Sequence, residues 1–175
     1  MIDPALKVID FGEPPEQDEA RPPAFTDESL ALRFAEQHAN DLRYVAKMGR
    51  WLRWDGQRWS FDDTLYAFDL ARKVCREASA ECNKAKVSNI LASAKTVAAV
   101  ERLAKADRRL AATSDQWDAD PWLLNTPAGV VDLRTGNLRV QDAGDYMTKI
   151  TSVAPDPDCS TSLARGSFTR GRRRR

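Results

Sequence analysis

Residues 50–62, RWLRWDGQRWSFD, set three tryptophans within nine residues, interleaved with arginines, around an Asp-Gly pair. Two kinds of physical chemistry use that combination. Tryptophan faces can stack on bases while arginines neutralise phosphates. Alternatively, the tryptophans fill a core and the arginines are solvated. The other reactive residue types offer less. The one histidine, His38, follows Leu30 and Phe34 at helical spacing and has no Ser, Cys or acidic partner signalled, so it reads as a packed or half-exposed helix residue. Cys75, Cys82 and Cys159 form no CxxC pair. Cys75 and Cys82 would lie about 10 Å apart along one helix, too far for a disulfide, and a single histidine argues against a zinc site. Asp115, Asp118, Asp120 and Asp132 suggest a metal site, but they sit in a turn-rich stretch. There Asp ordinarily accepts bonds from nearby backbone N–H groups, and turn and cap duty is the expectation. No catalytic residue, metal or cofactor is assigned.

The positions that matter most are therefore those of the hairpin. Asp55-Gly56 between aromatic runs predicts a two-residue type I′ turn. The rungs would be Trp54 opposite Gln57, Arg53 opposite Arg58, Leu52 opposite Trp59 and Trp51 opposite Ser60. Leu52, Trp54, Trp59 and Phe61 would share the core-facing side. The opposite side would carry Trp51, Arg53 and Arg58, with Arg50 at the end of the apolar side. Two arginines directly opposed repel by a few tenths to about 1 kcal/mol, which a phosphate, a carboxylate or splaying into solvent would relieve. Arg50, Trp51, Arg53 and Arg58 are the candidate DNA-binding residues.

The elements around them follow from periodicity. Thr26 or Asp27 reads as an N-cap for a helix through His38. Asp62-Asp63-Thr64 can cap a helix through about Glu81, with Tyr66, Leu70, Val74, Ala78 and Cys82 on its stripe and Ala67, Ala71 and Cys75 alongside. A further helix is expected from about Val87 to Ala106, with Ile90, Ala94, Val97, Val100, Leu103 and Ala104 inward. Residues 114–151 are turn-rich and strand-like, and Arg134-Thr135-Gly136-Asn137 predicts a second hairpin turn. The fold class is α+β: a single domain over residues 26–159, helices packed around two β-hairpins. It is preceded by an acidic, Pro-rich leader (1–25) and followed by a basic tail (160–175), both expected to be disordered.

Of 175 residues, 42% are hydrophobic and 30% charged, so the chain is globular in class. No run of 18 apolar residues exists and the N-terminus has no secretory pattern, so the expectation is a cytoplasmic protein with no membrane partner. The net charge of +1 hides blocks: residues 43–113 carry fifteen bases against eight acids, and residues 114–159 three against eight. A basic middle suits a polyanion, and equally a solvated helix surface.

The segment WDADPWLLNTPAGVVDLRTGNL, with YMTKIT and PDPDC after it, closely resembles the phage/plasmid primase–helicase family, and KMGRWLRWDGQRW resembles the same family's upstream tryptophan motif. Together they cover about residues 27–159. The resemblance implies the poxvirus-primase-like N-terminal module that precedes a superfamily-3 AAA+ helicase domain in proteins of mobile elements. A GxxxxGK[ST] loop is absent from all 175 residues, so the family's catalytic residues have no positions here. The chain is expected to be truncated before the helicase domain, with STSLARGSFTRGRRRR either a nucleic-acid arm or an out-of-frame terminus. The functional expectation is a non-catalytic DNA-replication module, not an enzyme on its own, whose partners are single-stranded or fork DNA, a helicase domain or further copies of itself. The alternative is a pure packing or oligomerisation domain, or an inactive remnant.

Overall fold

A computed structural model describes residues 22–156, and the expectations for most of the leader, for the tail and for Cys159 lie outside them. Four helices and two small sheets make the class α+β, as expected. Chain contacts gather into two compact units: one takes the residues up to His38 and Thr64–Leu110, the other Ala39–Asp63 and the residues from Ala111 on.

The first unit is helical. Helix α1 (Asp27–His38) starts where expected: the Ser29 N–H donates to Thr26 Oγ1 (3.2 Å) and the Thr26 N–H to Ser29 Oγ (3.0 Å), a reciprocal cap. It buries Leu30, Ala31, Phe34 and Ala35, and His38 packs its ring 4.9 Å from Phe34. Helix α2 (Tyr66–Glu81) buries Ala67, Leu70, Ala71, Val74, Cys75 and Ala78. Its expected cap is corrected: the N-cap is Leu65, in the left-handed region (φ 58°) with no side-chain cap, and Asp63 instead binds Arg50. The Arg33 guanidinium forks onto Glu81 at 2.8 and 2.9 Å and reaches Glu77 at 3.1 Å, joining α1 to α2.

The helix expected over 87–106 is two helices, α3 (Ala85–Leu91) and α4 (Ala94–Ala104). The interruption has a local cause. Ser93 Oγ accepts the Thr96 N–H (3.2 Å) and the Thr96 hydroxyl donates to the Ile90 carbonyl (2.9 Å), so side chains take up the backbone groups of a broken turn. The break re-aims the stripe: Leu91, Thr96, Val97, Val100 and Ala104 are buried, while Ile90, Ala94 and Leu103 are exposed. None of the described helices is long and apolar enough to cross a membrane.

The second unit holds both sheets. The first has strand order β3-β2-β1-β4: β1 (Leu42–Val45), β2 (Arg50–Trp54) and β3 (Trp59–Phe61) form an antiparallel meander, and β4 (Ala111–Ala112) pairs parallel to β1. The second is a meander of β5 (Leu123–Thr126), β6 (Gly129–Asp132) and β7 (Leu138–Arg139). The β6–β7 turn falls where expected: the Asp132 carbonyl accepts the N–H groups of Thr135 and Gly136, with Gly136 at φ 75°. The β5–β6 hairpin through Pro127-Ala128 is an addition to the expected elements. It depends on Gly129, at φ 141°, where a Cβ would sit 2.3 Å from the Arg139 carbonyl oxygen of β7.

Two outcomes follow. Gly129→Ala strains φ and drives a methyl into backbone, so it should lower stability by roughly 2–4 kcal/mol, read as a fall in the thermal midpoint; an unchanged midpoint contradicts the close approach. Burial, with the Asp27 carboxylate adding to it, pushes the Cys75 thiol up to about 11. A maleimide at neutral pH should therefore modify half-buried Cys82 and spare Cys75, read by peptide mass mapping.

Candidate nucleic-acid interface

The tryptophan hairpin is built on a longer turn than its Asp-Gly suggests. The strand register is Leu52↔Phe61, Arg53↔Ser60 and Trp54↔Trp59, leaving Asp55-Gly56-Gln57-Arg58 as a four-residue loop. The cause is Asp55: its Oδ1 accepts the N–H groups of Gln57 (2.9 Å) and Arg58 (2.8 Å), its Oδ2 the Ser60 hydroxyl (3.2 Å), and its own N–H donates to the Arg58 carbonyl (3.1 Å). Arg53 therefore faces Ser60, not Arg58, and the expected like-charge rung is corrected. The slip is two residues, so the side chains keep the faces assigned to them. Burial opposes charge on Asp55, but the bonds from Arg58, Gln57 and Ser60 and the Arg58 charge outweigh it and hold the carboxyl below its usual range. A depressed folded value means that the turn's stabilisation is present above the ordinary carboxylate pKa and is lost as pH falls through the folded one.

The four candidate residues differ in what they offer. Trp51 is 7% exposed, its ring 5.1 Å from Tyr44 on neighbouring β1, so little of it is open to a base. Arg50 is tied to Asp63 at 2.5 Å and lies 4.5 Å over the Phe61 ring. Arg53 is exposed on β2 between Leu42 and Ser60. Arg58, half-exposed in the loop, is 3.8 Å from Asp55. Arg50, Arg53 and Arg58 thus all reach the surface, Arg50 against Asp63 and Phe61 and Arg58 beside Asp55, while Trp51 is taken into packing.

On the other side of the sheet, Leu52 and Trp59 are buried with Val45 and Ala112, and Trp54, Trp117 and Tyr146 pack against them. Trp59, 1% exposed, donates its indole N–H to the Ala143 carbonyl (2.8 Å) and its backbone N–H to the Met147 carbonyl (2.8 Å). The residue that sequence reasoning missed is Arg43. Its guanidinium lies 5.2 Å from the Trp59 ring and 5.8 Å from that of Tyr146, and donates to the carbonyls of Ala39 and Leu42 and to the Tyr146 hydroxyl. Nothing local signals this, because Tyr146 is 103 residues away in the chain.

The string residues of the final third perform structural work. Asn125, 3% exposed, donates its amide to the Gln57 carbonyl (2.8 Å) in the hairpin loop and to the Lys149 carbonyl (3.2 Å). Asp118 accepts the N–H (2.8 Å) and hydroxyl (2.6 Å) of Thr148. Asp120 accepts the Trp122 N–H and two bonds from Arg134, at 2.9 Å each, which hold its carboxyl below the usual range. The turn and cap reading thus describes what Asp120 and Asp132 do, Asp132 Oδ1 taking the Arg134 N–H at 2.8 Å, whereas Asp118 departs from it by binding Thr148, 30 residues away. Among the described residues no group of three His, Cys, Asp or Glu is placed to hold a metal. A recess of about 280 Å³ opens beside Asp118, Leu123, Asn125, Met147 and Lys149. The Asp118 carboxylate and the Asn125 amide N–H groups in it are already engaged internally, while Asn125 Oδ1 is buried with no partner.

A family model described as D5 N terminal like matches residues 31–168, most of the chain. No protein with a curated description matches it. The matched span takes in the tryptophan hairpin, Asn125 and the Thr148 segment, the same parts that the hydrogen bonds above knit together, and it agrees with the resemblance carried by those motifs. The chain belongs to the D5 N terminal like family, as an N-terminal-like module of the primase–helicase kind.

Proposed function

We propose that this chain is a non-catalytic module of DNA replication that engages single-stranded or fork DNA through the Arg53 and Arg58 side of its tryptophan hairpin. The observation that carries the reading is the position of Arg53, exposed on β2, and Arg58, half-exposed in the adjoining loop, beside tryptophans largely taken into packing. With Trp51 and Trp59 buried, base stacking is a minor contributor. The contact is instead to phosphates, which makes affinity strongly salt-dependent and weakly base-dependent. The helical unit, taken by itself, carries ten bases against five acids over residues 64–110, a balance that suits a polyanion. Arg50 and Trp51 then act as supports, Arg50 through Asp63 and Phe61, and Trp51 through Tyr44.

A second reading, a module that positions subunits by self-association, is favoured by a separate observation: Trp122, Leu124, Leu133 and Leu138 leave a run of apolar surface on the second sheet.

Titrating a fluorescent single-stranded oligonucleotide at several salt concentrations tests the DNA reading. Arg53→Ala with Arg58→Ala should weaken binding and reduce the slope of log affinity against log salt by about 1.4, or about 0.7 for each phosphate that is no longer neutralised. Equal affinities for the two proteins at every salt concentration would refute it.

A further inference from the structure

The helical unit pairs all the acids of residues 64–110 and leaves most of the bases unpaired. Asp69 is met by Arg72 and Lys73, Glu77 and Glu81 by Arg33, Glu101 by Lys105, and Asp107 by Arg109. Those are the five acids of the span, and they engage four of its ten bases. Among the described residues the other six, Arg76, Lys84, Lys86, Lys95, Arg102 and Arg108, form no ion pair, and all six are exposed. A helix face that is merely solvated usually interleaves the two signs. Here like charges gather. Arg76 on α2 has Arg72 four residues before it and Lys73 three before it, neighbours of its own sign that cost the helix stability. Lys95 and Arg102 are seven residues apart on α4, so they share one face, with exposed Ala98 between them and no acid three or four residues from either. Lys84 and Lys86 stand at the start of α3. That helix is pinned to α2 by two hydroxyls: Ser79 Oγ donates to the Ser88 carbonyl (3.0 Å) and Ser88 Oγ to the Ser79 carbonyl (2.9 Å).

We infer that the unpaired bases of α2, α3 and α4 are a second DNA contact of this chain, one that holds the phosphate backbone and uses residues separate from Arg53 and Arg58. The spacing of the bases selects the kind of ligand. Lys95 and Arg102 lie about 10 Å apart along α4, so a single small anion meets one of them, whereas a string of phosphates meets both. The residue types select what is touched. No aromatic residue occurs in residues 84–104, so this surface has nothing on which a base could stack, and its contacts position a strand without reading it. Alanine at 94, 98 and 99 leaves the Lys95 and Arg102 side chains unobstructed by long neighbours. A phosphate beside Arg76 also relieves the like-charge cost on α2.

The inference takes DNA as the polyanion from the reading above but stands on its own residues, and salt titration separates the two. A labelled single-stranded oligonucleotide is titrated with the full 175-residue chain at several salt concentrations, and binding is read by fluorescence anisotropy. Lys95→Ala with Arg102→Ala, and separately Lys84→Ala with Lys86→Ala, should each lower the slope of log affinity against log salt by about 1.4. Their circular dichroism spectra should be unchanged, since alanine suits an exposed helix position. Lys105→Ala with Arg109→Ala removes the same charge from side chains already paired, and its slope should stay at the wild-type value. Wild-type slopes in both unpaired-base variants overturn this surface. An equal fall in the paired-base variant also overturns it, because net charge alone would then explain the binding. Release of the oligonucleotide by polyglutamate at a lower charge concentration than by unlabelled DNA assigns the surface to an acidic polypeptide instead. A fall seen only for Arg53→Ala with Arg58→Ala removes this contact and leaves the hairpin's. A fall seen only for the helical variants does the reverse, and a wild-type chain that binds no DNA overturns both.

Discussion

The buried amide of Asn125 is the constraint on which the sheet-bearing unit depends. Its two N–H groups end on the carbonyls of Gln57 and Lys149, which belong to stretches far apart in sequence. Residues 146–151 form no strand, so their backbone groups need partners from elsewhere. They find them at Trp59, which donates to the Met147 carbonyl; at Asp118, which accepts from Thr148; and at the Asn125 carbonyl, which accepts the Thr151 N–H at 2.9 Å. Gln57 and Lys149 are themselves exposed, so losing the Asn125 amide would hand their carbonyls to water and remove two ties between these stretches at about 1 kcal/mol each.

That network explains why the tryptophans do not form an open platform. Trp59 is fixed from both its backbone and its indole, and Tyr146 stacks on it with rings 6.2 Å apart and 14° from parallel. Trp117 closes the cluster edge-on, and Arg43 sets a cation over it. Aromatic rings with this many neighbours gain more from mutual packing than a passing base can return. Under the proposed function what the hairpin offers DNA is charge, in Arg53 and Arg58, and charge recognises a backbone without reading sequence.

The sequence was most legible where one physical rule acted locally. The stripes of α1 and α2 follow a period of 3.6, and the 133–136 turn follows from Thr-Gly-Asn. It was least legible where side chains took over backbone bonds. Asp55 captured two N–H groups and lengthened the loop, so the Arg53–Arg58 rung never formed. Ser93 and Thr96 split a helix that periodicity alone would run through. The β5–β6 hairpin hid in Asn-Thr-Pro-Ala-Gly because its glycine is required by a third strand, not by its own turn. Arg43 and Asn125 were invisible as a class, since their partners are set by tertiary structure.

Native-state hydrogen exchange on the Asn125→Ala variant tests the central claim most directly. If the Asn125 amide couples the hairpin loop to the strandless segment alongside the Trp59–Met147 bond, protection should fall together in the peptides spanning 57–61, 123–126 and 147–151, with the helices unaffected. A loss confined to 123–126 would mean that these parts are held independently and would contradict the account.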